Sequence, residues 1–245
     1  MMEGSISSKY KILSGSSLKL IALIAMIIDH AAYHILANMA FAITPLFSIG
    51  SIAVTVYWIC RKIGRIAFPI YAFLISEGYL HTHDQRRYGL SLLVFAFISE
   101  IPWNLEHTGD IFLPSSQNVF FTLFLGFLAI CFCENWMADR DIKDLVLLTG
   151  IFAIAYFLKA DYGIRGVGFI LLVHVLRGIK PAQALIGCSI FTNNAPAILG
   201  AFLLINGYNG KRGFINTAFE KYLFYAAYPL HILVIWLIKK NILGW

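Results

Sequence analysis

The chain alternates long apolar runs with short polar breaks. Eight runs read as membrane-crossing helices: residues 18–36, 64–81, 88–104, 118–136, 144–159, 163–177, 182–206 and 219–238. A helix needs about 20 mainly apolar residues to cross ~30 Å of hydrocarbon, and each run reaches or approaches that length. A further apolar stretch, 41–60, is interrupted by Thr44-Pro45, Ser48 and Gly50-Ser51. It is predicted either to cross or to form a half-helix with a re-entrant loop. The breaks are short, such as Arg140-Asp141-Ile142-Lys143 and Asp161-Tyr162-Gly163, and leave no room for a separate soluble domain. The pattern therefore predicts an all-α polytopic bundle of eight or nine transmembrane helices. Residues 1–17 form a Ser-rich cytoplasmic tail and 18–245 one membrane domain. The first run is longer than the apolar core of a signal peptide and carries Asp29-His30, so it reads as a retained span.

Composition agrees with that reading. The chain is 59% hydrophobic and 13% charged, against about 25% charged in soluble domains, and its mean hydropathy is +0.75. A soluble enzyme, a disordered chain and a small disulfide scaffold are excluded. The formal net charge is +6, but its basic pairs, Arg86-Arg87 and Lys239-Lys240, sit between apolar runs. Such pairs report membrane topology rather than nucleic-acid binding. With the amino terminus inside, the eight-span and nine-span layouts put equal numbers of basic residues on the inner face, so charge does not separate them. Cys60, Cys131, Cys133 and Cys188 form no CxxC pair and read as small apolar residues. No metal is predicted.

The chemistry is sought in polar residues within the apolar runs. An ionisable group near the bilayer centre costs at least ~2.5–3.5 kcal/mol, so it normally faces the bundle interior. Asp29-His30 lies in the middle of the first run, with Tyr33 and His34 one turn on. His30 and His34 share a helix face, whereas Asp29 and His30 project about 100° apart. Asp29 is thus expected to pair with a cation or donor from another helix. Glu77 lies deep in the run that begins near Arg65 and can pair with His81. Glu100 ends another run, beside Ser99 and Pro102. Asn118 opens the next and also suits an N-cap. Tyr228-Pro229-Leu230-His231 closes the set, although Tyr222, Tyr225 and Tyr228 also suit an interfacial aromatic belt. His174 reads as a satisfied core residue. Three readings follow from the residues alone. His30 is a general base, since imidazole titrates near neutrality; or Asp29, His30, His34 and Glu77, with His81 and His83, serve a proton- or metal-coupled transporter; or the cluster is structural.

Several stretches carry a family resemblance: LKLIALIAMIIDHAAY (18–33), GRIAFPIYAFLISEGYLHT (64–82), YGLSLLVFAFISEIPWNL (88–105), NVFFTLFLG (118–126) and the segment 208–236 from Tyr208 to Trp236. In these the chain resembles the TraX family, named for F-pilin acetylation, and through it the transmembrane acyltransferases. The resemblance implies an enzyme of the bacterial inner membrane that moves acetyl from cytoplasmic acetyl-CoA to an amine. The acceptor would be a pilin-like peptide amino terminus, an amino sugar or a small amine. It implies His30 as catalytic base with Asp29 beside it. Arg86, Arg87 and Arg65 would contact the donor; the chain departs from the family at His83-Asp84, where members often have a basic residue, and near Ser91, where they often have an Arg, and Arg86 and Arg87 would stand in for these. Glu77, Glu100, Asn118, Tyr228 and His231 would line the acceptor or oxyanion site. The lipid bilayer is the further partner, and nucleic acid is not one.

Overall fold

The computed structural model describes residues 10–112, 115–242 and 244. Nearly all regular structure in it is α-helical. Among the described residues four helices are long and apolar enough to cross a membrane: Gly15–Asn38, Gln85–Thr108, Val119–Asp139 and Ala218–Asn241. A bent pair, Lys180–Ile190 with Thr192–Asn206, makes a fifth if it is counted as one span. The eight or nine spans expected from apolar runs therefore do not all appear as long helices. Contacts divide the chain into two compact units, residues 1–71 with 187–224 and residues 72–186 with 225–245.

Unit 1 begins with α1 (Gly15–His34), capped by Ser14, whose Oγ accepts from Ser17 N. The stretch 41–60 does not cross. It forms a short helix α2 (Ala40–Ile43), a hairpin of β1 (Phe47–Ile49) and β2 (Ile52–Val54), and the start of α3 (Val56–Gly64). The reason is local. Pro45 stops α2, and Gly50, at φ +59°, opens a two-residue turn of the kind that joins antiparallel strands. Thr55 then caps α3. α3 packs on α1, and Gly64 permits the approach, since a Cβ there would collide with the Asp29 side chain. α4 (Ala67–His81) starts in this unit, and α9 (Lys180–Ile190) ends in it.

The run 182–206 is not one rod. After α9 the chain turns by 114° at residues 191–194 and continues as α10 (Ala195–Asn206). Asn193-Asn194 and Pro196, a residue suited to a first turn, mark that break. The connection after α10 then closes on the start of α1. Leu13 N donates to Gly207 O (2.9 Å), Gly15 N to Lys211 O and Ser16 N to Arg212 O (both 2.8 Å).

Unit 2 is assembled around α6 (Val119–Asp139), which packs against α5 (Gln85–Thr108), α7 (Ile142–Leu158) and α8 (Gly163–Val175). Its core joins Leu125 and Ala129 of α6, Ile151 and Ala155 of α7, and Val167 of α8. Gly126 lets Ile170 seat against α6 where any side chain would collide. Caps define the ends: Asp84 bonds Arg87 N and Asp141 bonds Lys143 N, while α5 stops at Gly109 with φ +80°. Most of α11 (Ala218–Ile242) belongs here. On α5, Leu90, Val94, Phe97 and Ile101 are exposed at helical spacing. A continuous large apolar face of this kind belongs against lipid.

Candidate functional site

Unit 1 holds Asp29, His30 and His34 on α1. Asp29 is buried, and its partner comes from α3: Arg61 Nη1 donates to Oδ2 at 2.7 Å and to the Asp29 carbonyl at 3.3 Å. Arg65 Nε stands 4.0 Å from Oδ1. The guanidinium of Arg61 also lies over the Tyr33 ring, 4.8 Å from its centroid. Asp29 is thus held by a cation from another helix, and its neighbour on α1 is left to face elsewhere. His30 is half-buried and His34 buried, with their rings edge-to-face at 6.2 Å. The chemical content of this arrangement is a half-buried imidazole next to a clamped carboxylate on α1.

Arg61 was not among the candidates. It lies outside the apolar runs, and its bond to Asp29 joins residues 32 positions apart, which no spacing rule reaches. Gly64 carried a faint signal, a glycine ending an amphipathic turn.

The remaining candidates fall in unit 2. Glu77 is not deep in a span: it lies in the last turns of α4, which ends at His81, and His81 Nδ1 contacts the Glu77 carbonyl at 2.9 Å and its carboxylate at 3.8 Å. Asn118 is the N-cap of α6, with Phe120 N donating to its Oδ1 at 3.0 Å. Its Nδ2 donates to Glu100 Oε2 (2.5 Å) and Ala96 O (2.8 Å). Both amide hydrogens are thereby committed to tying α5 to α6, and none is left for an oxyanion. Tyr228 is buried edge-on to Phe120, at 5.2 Å. His231 turns Nδ1 back to Ala227 O. Arg86 and Arg87 are exposed on the first turn of α5.

Two further polar groups appear in unit 2. His174 is fully buried with both ring nitrogens engaged, Nδ1 with Ser76 Oγ and Nε2 with Glu134 Oε1, each at 2.8 Å. Arg177 Nη1 donates to the same Glu134 oxygen at 3.0 Å. Glu106, buried at the end of α5 and absent from the candidates, accepts from Lys239 Nζ at 3.0 Å. Each network is made by residues distant in sequence, so neither has a spacing signature.

Comparison with known proteins assigns the lineage. Residues 14–239 match the family model described as TraX protein. The chain belongs to the TraX family. It is 28% identical over 247 residues to a probable fimbrial assembly protein, FimC of serogroup H1, from Dichelobacter nodosus, covering 89% of this chain and 93% of that relative. No solved structure matches. The match to TraX takes in Asp29, His30, Arg61 and Arg65, and with its apolar helices marks the chain as a membrane protein.

Proposed function

We propose that this TraX-family chain is a membrane-embedded acetyltransferase of the bacterial inner membrane. In this reading it moves acetyl from cytoplasmic acetyl-CoA to an amine, with His30 as general base. The observation that carries the reading is a half-buried His30 on α1 beside a carboxylate pinned by Arg61, inside a family named for pilin acetylation. The fimbrial-assembly relative favours a pilin-like peptide amino terminus as acceptor over a sugar or a small amine.

An α-amino group titrates near 7.7–8.0 and attacks as the free amine. Its nitrogen adds to the thioester carbonyl while His30 takes the proton. The tetrahedral oxyanion then collapses, the C–S bond breaks, and the proton passes from His30 to the departing thiolate. Arg65, near Asp29 and charged at all working pH, is the donor best suited to the oxyanion. Asp29, neutralised by Arg61, fixes the register of α1 on α3 and so the position of the imidazole.

The layout that best fits has seven crossings, α1, α4, α5, α6, α7, α8 and α11, with α9–α10 entering and leaving by the inner face. Eight straight crossings would send Leu13 and Tyr208 to opposite faces, yet they pair, and would do the same to Lys239 and Glu106. In the seven-crossing layout both pairs agree, as do Gln117 with Ala160 and Glu134 with Arg177. The inner segments are then the tail through Lys19, 82–87, 139–144, 177–180 and 207–221. They carry twelve of the nineteen basic residues, so the positive-inside rule now favours one orientation.

His30→Ala should lower transfer by about 10²–10⁴-fold while the protein still inserts and folds. The measurement is CoA thiol release together with the acetylated product by mass spectrometry. Full turnover by the variant would remove His30 from the reaction.

A further inference from the structure

The net positive charge of the chain resides in one of its two units. Unit 1 holds nine of the nineteen basic residues and three of the thirteen acidic ones, whereas unit 2 holds ten of each. Of the described acids in unit 1, Asp29 is taken by Arg61. Glu220 accepts from the amides of Asn216 and Thr217 at the head of α11, at 2.8 and 2.9 Å, and also lies within electrostatic reach of Arg212.

The cations form two groups. Arg61, Lys62 and Arg65 lie at the Asp29 level, where Lys62 Nζ donates to Asn193 O (2.6 Å) and Asn194 Oδ1 (3.2 Å). Lys19, Lys211, Arg212 and Lys221 gather where the α10–α11 connection closes on the first turn of α1. The closure is tight. Ser16 Oγ donates to Arg212 O and accepts from Ile215 N, both at 2.8 Å. Gly213, at φ +88°, lies against Ser14 and Ser16 where a side chain would collide. Lys19 sits one turn above Ser16 and within electrostatic reach of both Arg212 and Lys221.

The end of α1 is not itself the attraction. Its first amides already bond to Lys211 O, Arg212 O, Ser14 Oγ and Ser14 O. What remains is a concentration of like side-chain charge on a fixed backbone. Such a group repels itself and gains when a multiply charged phosphate enters.

The helix also sets a direction. Lys19 and His30 are eleven residues apart, three turns plus about 20°, so they share one face of α1 at roughly 16 Å along the axis. Met26, on that face between them, is buried, and Lys19, Leu23 and His30 are partly buried. A pantetheine arm, extended, covers such a distance.

We propose that Lys19, Lys211, Arg212 and Lys221 form a phosphate-binding site for the polyphosphate end of an acyl-CoA donor, with the pantetheine arm running along α1 to His30. The assignment rests on the acetyltransferase reading above, and the ligand chemistry, clustered phosphate, is shared with anionic lipid headgroups.

The test uses the full chain in neutral phosphatidylcholine nanodiscs, with CoA binding followed by calorimetry. Arg212→Gln combined with Lys221→Gln should weaken CoA at least tenfold. Pantetheine, which lacks the phosphates, should bind both proteins alike, and Arg212→Lys should recover most of the affinity. Lys19→Gln should act in the same direction, and the surface double variant keeps the test decisive if that variant folds poorly. Wild-type CoA binding that is unchanged within twofold in the double variant overturns the site, and continued acetyl transfer by the wild type would then leave the acetyltransferase reading standing. If the wild type binds no CoA but retains phosphatidylglycerol in native mass spectrometry, and the double variant loses it, the phosphate belongs to a lipid. That result overturns the donor assignment, and a lack of transfer in the same preparation removes the enzymatic reading with it.

Discussion

The two units treat buried charge differently. In unit 1 a single carboxylate, Asp29, sits between two arginines of the α3 region, held close by the missing side chain of Gly64. In unit 2 polar groups are spread over several helices and join them in networks. Ser76, His174, Glu134 and Arg177 link α4, α6 and the end of α8, and Asn118 ties Glu100 and Ala96 of α5 to the head of α6. Unit 2 has equal numbers of acids and bases, whereas unit 1 keeps the whole excess of positive charge. A balanced network fixes helices. An unbalanced one retains attraction for something outside the chain. On the acetyltransferase proposal, unit 2 is the scaffold and unit 1 carries the chemistry.

The largest effect that would test this difference is Arg61→Ala. It leaves Asp29 buried without its main partner and should cost about 3–5 kcal/mol, read as loss of folded protein in denaturant titration. Pairing it with Asp29→Asn should restore much of the stability but not the transfer activity. Recovery of both would make the ion pair merely structural. His174→Ala comes next. It should cost about 1–3 kcal/mol, because Glu134 keeps Arg177 while Ser76 loses its partner, and the catalytic rate of the folded fraction should hold. A rate loss beyond the loss of folded protein would move chemistry into unit 2. The smallest effect is expected from Arg86→Ala with Arg87→Ala, a CoA affinity lowered about twofold beside the tenfold or greater loss for the Arg212 and Lys221 double variant of unit 1. A larger drop in calorimetry would return the donor's phosphates to α5.

The long helices were legible because 3.6-residue periodicity is not needed to see them: a run of apolar residues the thickness of a bilayer suffices. Asp29 and His30 stood out for the same reason, as ionisable groups in such a run. Asp29's need for a partner was legible, but Arg61 was not, because pairing across α1 and α3 depends on packing. The α9–α10 turn was missed because apolar residues flank Asn193-Asn194 on both sides, and a window average conceals a break that short. Asn118 was legible as an N-cap, whereas Glu77 was read as deep in a span when it lies in the last turns of α4. The closure of residues 207–215 on α1 is made largely by main-chain groups, which leave no mark on residue choice.

That closure has a consequence for how the protein is made. The helix synthesised first has partners for its opening amides some 196 residues later, at Lys211 and Arg212. Domains emerge from the ribosome in order and fold as they appear, but this one has to wait. Until residue 215 has been made, the opening amides of α1 lack the main-chain partners that close its first turn.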